Sequence, residues 1–176
     1  MRTYSNFSTG NDVAPSEPPP PTTTPLPSEE EIRLDSNVIP NHVQLDVTSD
    51  QDNDQFSGKV SIDFTAKEST RQVKLHCKSL NISKYTLTDA NSAEVAIAKL
   101  DENPYLELCT FELTKDIAPG KYSISIEYSG KFKDGQIVGF YKSSYLDNQG
   151  NKKYLTAAKF EPTYARWAFP AFDEPR

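Results

Sequence analysis

A-P-G-K-Y-S-I-S-I-E-Y-S-G, residues 118–130, is the stretch whose pattern decides the fold. After the Pro119-Gly120 turn, Tyr122, Ile124, Ile126 and Tyr128 alternate with Ser123, Ser125, Glu127 and Ser129. Successive side chains of an extended chain point to opposite faces, so this segment reads as a strand with one apolar and one wet face. The proline presets φ for a turn and the glycine after it relaxes the turn's sterics, which marks where the strand is entered.

The same period recurs upstream. Val43, Leu45 and Val47 alternate with Gln44, Asp46 and Thr48, and Val60, Ile62 and Phe64 alternate with Lys59, Ser61 and Asp63. A short polar turn, S-D-Q-D-N-D at 49–54, joins these two runs and predicts an antiparallel pair. That turn lacks the downstream glycine and glutamate of a calcium loop and is read as a plain turn. In R-Q-V-K-L-H-C-K, residues 71–78, the alternation places Val73, Leu75 and Cys77 inward and Lys74, His76 and Lys78 outward. Further runs lie at 79–88, 94–100 and 105–113, and two more, around residues 139–146 and 152–160, flank a turn at 147–152 where Asn148 and Gly150 supply positive φ. Strands at this spacing, without an amphipathic helical pattern, predict an all-β chain: an antiparallel β-sandwich or saddle-shaped pair of sheets.

Residues 1–31 differ in kind, holding seven of the thirteen prolines, among them P-P-P-P at 18–21. Without apolar surface to bury, such a segment does not offset its ordering entropy, so a disordered, partly polyproline-like tail is expected, followed by one domain over 32–176. Two cysteines, Cys77 and Cys109, fall within apolar strand patterns, and two buried free thiols are the favoured expectation over a single bridge. The net charge of -6 argues against nucleic acid or an anionic membrane as partner. No run reaches the length of a membrane span, and the first ten residues, M-R-T-Y-S-N-F-S-T-G, carry no apolar leader core. Two glycosylation sequons, at Asn6 and Asn81, matter only for an exported chain. His42 and His76 sit on different strands with no second ligand at a recognised spacing, so no metal site is expected within the chain.

The closing stretch, F-E-P-T-Y-A-R-W-A-F-P-A-F-D-E-P-R at 160–176, has neither period and carries five aromatics and three prolines. With G-F-Y-K-S-S-Y at 139–145 it resembles the end of the N-terminal domain of zinc aminopeptidases of the aminopeptidase N type, which read approximately T-Q-F-E-P-x-x-A-R-x-A-F-P-C-F-D-E-P. R-L-D-S-N-V-I-P-N-H-V-Q-L at 33–45 is similar to the family's R-L-P-x-x-V-x-P-x-x-Y-x-L, departing at Asp35 and Val43. Residues 117–130 are similar to the family's L-x-x-G-x-Y-x-L-x-I-x-Y-x-G, with isoleucine at both leucine positions. The resemblance covers residues 33–176.

It implies the scaffold of a gluzincin-type metallopeptidase, truncated before the catalytic domain and incomplete at the end of the β domain itself. The family's H-E-x-x-H zinc motif is not in the chain, so no catalytic residue, metal ligand or cofactor is expected here, zinc belonging to the full-length family enzyme and no hydrolysis to the chain alone. Implied partners are a peptide amino terminus and the missing catalytic domain. In the family the glutamate of F-E-P, here Glu161, helps bind the substrate's α-ammonium; the competing reading pairs Glu161 with Arg166. Lys159 stands where the family has a glutamine lining the pocket for the first side chain. Arg166, Asp173 and Glu174 are read as a structural tie, and Trp167, Phe169 and Phe172 as core or domain-interface anchors that leave an apolar patch near 160–172. Two functions fit: the β domain of an aminopeptidase, or a stand-alone interaction module derived from one. The stalk-like tail and sequons point to an extracellular or plasma-membrane location, with the cytoplasm as the alternative.

Overall fold

The structure, a computed structural model, describes residues 25–133 and 135–174. Residues 1–24, most of the expected tail, lie outside it. Within the rest of that tail one helical turn, α1 (Glu29–Ile32), precedes the point where order was expected to begin. Its cause is local: the Ser28 hydroxyl accepts from the Glu31 N–H while the Glu31 carboxylate accepts from the Ser28 N–H, a capping box in S-E-E-E.

Ten antiparallel strands follow among the described residues. One sheet has the order β1 (Val38–Asp50), β2 (Gln55–Ala66), β8 (Gly120–Lys131), β4 (Leu80–Asp89), β5 (Glu94–Val95). The second has the order β3 (Thr70–His76), β7 (Leu108–Ile117), β6 (Ile97–Asn103). A hairpin of β9 (Gly139–Leu146) and β10 (Lys152–Lys159) stands beside them, and Gly150, but not Asn148, takes the positive φ expected in its turn.

The decisive strand, β8, is central to the larger sheet. Its register sets Ile124 beside Ile62 and Leu87, and Ile126 beside Val60 and Tyr85, so the apolar faces of three strands coincide. Against them the smaller sheet turns Val73, Leu75, Phe111 and Leu113, and the Tyr85 and Phe111 rings meet edge-on at 5.3 Å. A sandwich core results, as the alternation predicts. Each fully buried aliphatic side chain contributes about 1.5–3 kcal/mol relative to exposure.

Three expectations are corrected. Cys77 and Cys109 form a disulfide with Cα atoms 5.9 Å apart, not two free thiols. The period within each strand does not give the register between them; Leu75 pairs with Cys109, and Cys77 is the diagonal neighbour. His76 is not on a solvated face but 2 % exposed, because the closing segment covers that side of β3. Finally, the apolar surface left open is not at 160–172, where Phe169 and Phe172 pack against the core. It includes the inner face of β1, where Val43, Leu45 and Val47 are 45 %, 36 % and 37 % exposed.

Candidate functional site

The site grows out of the β9–β10 hairpin. Gly139 opens β9 with φ +60°, and a Cβ there would lie 2.7 Å from the Trp167 Cβ. The missing side chain therefore lets the one-turn 3₁₀ segment Ala165–Trp167 sit against the strand. At the other end of the hairpin β10 stops at Lys159, and Phe160 turns inward to meet Phe169 edge-on at 5.8 Å. In an extended chain the residues on either side of an inward one face outward, which sends Lys159 and Glu161 toward solvent; both are exposed. The Glu161–Pro162 bond is cis, and residues 161–164 form a turn closed by the Tyr164 N–H donating to the Phe160 carbonyl at 2.7 Å.

Arg166 is buried, and each of its three side-chain nitrogens donates a hydrogen bond. Its Nε donates to Asp173 Oδ2 at 2.9 Å, one terminal nitrogen to the Asp173 carbonyl at 3.1 Å, and the other to Glu107 Oε2 at 3.3 Å. Glu107 also pairs with Lys78, whose ammonium lies 4.7 Å from the Trp167 ring centroid. Glu174 accepts from the Leu34 N–H at 2.6 Å and approaches Arg33 at 3.5 Å, fastening the segment before β1. His76 contributes its backbone to a bridge with Ala171 and places Nε2 2.8 Å from the Ile32 carbonyl, while Nδ1 has no partner among the described residues. Burial, followed by the Arg166 charge, holds its pKa below the ordinary 6.5 against the raising influence of the Ile32 carbonyl, Glu174 and Asp173.

The sequence-derived residues thus divide into two groups. Arg166, Asp173 and Glu174 come together around a cleft of ≈ 560 Å³ that His76 and Glu107 also line. Lys159 and Glu161 stand outside it, exposed and without a hydrogen-bond or ion-pair partner among the described residues. The alternative pairing of Glu161 with Arg166 is absent, since Asp173 and Glu107 occupy the guanidinium. Sequence reasoning missed Glu107 and the burial of His76; nothing in Y-L-E-L around position 107 signals a partner on the closing segment. Among the described residues no three His, Cys, Asp or Glu side chains gather as a metal-holding group, and no chemistry through zinc is assigned to them. No described helix is long and apolar enough to cross a membrane.

An antiparallel sandwich closed by this segment is the architecture that the resemblance implied. Residues 39–176 match the family model of the Peptidase M1 N-terminal domain, and the chain belongs to that family. It is 33 % identical over 143 residues to a puromycin-sensitive aminopeptidase of Caenorhabditis elegans, covering 81 % of this chain and 15 % of that protein. It is 32 % identical to a glutamyl aminopeptidase of Rattus norvegicus, with 94 % and 20 % covered, and 31 % identical to a thyrotropin-releasing hormone-degrading ectoenzyme of Homo sapiens, with 89 % and 16 % covered. The chain therefore spans between 15 % and 20 % of the length of these relatives.

Proposed function

We propose that the chain is the N-terminal β domain of a zinc-dependent aminopeptidase that removes residues from peptide amino termini, supplying the scaffold and one corner that grips the substrate's α-ammonium. The observation that carries this reading is the exposed carboxylate of Glu161, which has no partner among the described residues. Every other acid of the closing segment, Asp173 and Glu174, is tied to an arginine or a backbone N–H, while Glu161 is presented to solvent on a turn held by aromatic packing. A carboxylate closed off from water by a docked partner forms a charge-assisted hydrogen bond roughly twice as strong as a neutral one. The catalytic domain is that partner, and the zinc belongs to it. The surrounding medium is extracellular, or the outer face of the plasma membrane, in keeping with the ectoenzyme among the relatives and the Cys77–Cys109 bridge.

Lys159 favours a second reading, a stand-alone interaction module, because a cation two residues from Glu161 repels an incoming ammonium. One titration separates the two. A short peptide with a free amino terminus should shift the backbone amide resonances of residues 159–164, its N-acetylated counterpart should not, and Glu161→Gln should abolish the difference. Equal shifts from both peptides, or none, favour the module. Chelator-sensitive hydrolysis of an aminoacyl-anilide by this chain alone would overturn the division of labour.

A further inference from the structure

We propose that Asn81 carries an N-linked glycan, and that the outer face of the five-stranded sheet is the side of this molecule that remains in water. The triplet Asn81-Ile82-Ser83 has the acceptor sequence, with isoleucine rather than proline in the middle. The fold then presents it. Asn81 is the second residue of β4, exposed, and its carboxamide makes no hydrogen bond among the described residues. Its cross-strand neighbours are Ser129, then Ser57, then Thr48, whereas Leu80 and Ile82 on either side of it pack against the core. The ladder is irregular just after it, between Ile82 and Lys84, so Ser83 lies at a bulge, exposed, with its hydroxyl donating to the Glu127 carbonyl at 3.1 Å. The acceptor thus sits at the start of a strand, beside a bulge, with both of its polar side chains exposed.

A second, independent observation supplies the compartment. The Cys77–Cys109 disulfide, whose Cys77 precedes the triplet by four residues, belongs to chains that mature in an oxidising environment, and in eukaryotic cells the oxidising lumen is where asparagine is glycosylated. The transfer is redox-neutral. The carboxamide nitrogen of Asn81 bonds to the anomeric carbon of an oligosaccharide carried on a lipid-linked diphosphate; the sugar–phosphate bond breaks, the lipid diphosphate leaves, and the nitrogen releases one proton.

The surface around Asn81 agrees. Each row on this face is polar from β1 to β4; Gln44, Ser61, Ser125 and Thr86 form one of them. Such a face offers no apolar patch to a protein partner. The closing segment instead bridges to β3 of the other sheet, so a sugar at Asn81 leaves that docking unobstructed.

The test uses the chain isolated from the cells that make it, alkylated before any reduction, digested and analysed by mass spectrometry. The expected result is an intact Cys77–Cys109 link and an Asn81 peptide heavier by a glycan, from which peptide N-glycosidase leaves an aspartate. Ser83→Ala should remove the glycan and Ser83→Thr should retain it, both with an unchanged melting transition; Asn6 is scored on its own peptide. An unmodified Asn81 peptide, alkylated Cys77 and Cys109 without reduction, or a glycan that survives Ser83→Ala would each overturn the proposal.

Discussion

His76 and Ala171 exchange both of their backbone hydrogen bonds, at 2.8 and 2.9 Å, so the closing segment joins the smaller sheet through a single rung beside β3. That rung is also what seals the imidazole from water. A buried neutral histidine makes stability depend on pH, and the sign follows from its lowered pKa. The unfolded chain takes up a proton near the ordinary value of 6.5, before the folded chain does. Stability contributed by His76 is therefore complete above that pH and declines as pH falls through the folded pKa.

The urea midpoint should fall between about pH 7.5 and about pH 5.5, with a slope of at most about 1.4 kcal/mol per pH unit from this one group. Carboxylates with lowered pKa, Glu31, Asp50 and Asp147, start from 4.5 and 3.8 and act in a more acidic window. His76→Gln should flatten the upper part of the profile while leaving the lower part in place.

Arg166 holds Asp173 and Glu107 together across the cleft. Arg166→Ala leaves two largely buried carboxylates without their cation and should cost about 3–5 kcal/mol, read from chemical denaturation. Arg166→Lys keeps the charge but not the fork that serves three acceptors, and should recover only part of the loss. Full recovery would mean that charge alone, rather than guanidinium geometry, ties the segment down.

Legibility in the sequence followed the range of each interaction. The faces of β1, β2 and β8 were readable because alternation is a property of one strand, and the turn between β9 and β10 because Gly150 signals its own φ. Pairing between distant strands was not: the disulfide, the covering of His76 and the role of Glu107 depend on register and docking, which no local period encodes. The closing segment was legible as a motif and Phe169 and Phe172 as anchors, yet the open apolar patch expected near 160–172 was not legible as covered, because how much of these rings is buried depends on sheets built earlier in the chain. The apolar face of β1 was expected; that the narrower sheet leaves it open was not.

Gly139 and Gly150 both have positive φ, +60° and +82°, but only Gly139 is crowded. Gly150→Ala meets no atom within 4 Å and should cost about 1 kcal/mol from backbone strain alone. Gly139→Ala adds a collision with Trp167 and should cost distinctly more, with a change in tryptophan fluorescence as the 3₁₀ turn is displaced. Equal costs would show that the hairpin and the turn are not packed as described.

Lys159 gives the proposed amino-terminus corner a charge preference. In peptide titrations, Lys159→Gln should strengthen binding of peptides whose first side chain is neutral, by removing a repulsion, and weaken binding of those whose first side chain is acidic. Raising the salt concentration should shrink both changes, since the groups are exposed. An unchanged ranking of peptides would place Lys159 outside the recognition corner.

Val43 and Val60 lie on the same face of the large sheet in adjacent strands, yet one is 45 % exposed and the other 0 %. Valine and threonine have nearly the same shape, so exchanging them reports on environment more than on volume. Val60→Thr buries a hydroxyl away from water and should cost about 1–3 kcal/mol, while Val43→Thr should stay within about 0.5 kcal/mol. Changing Val43 and Val47 together to threonine should also lower the binding of an apolar fluorescent dye, because both belong to the strip that the smaller sheet leaves uncovered. If the two single substitutions cost the same, β1 is covered in solution and the strip is not an open surface.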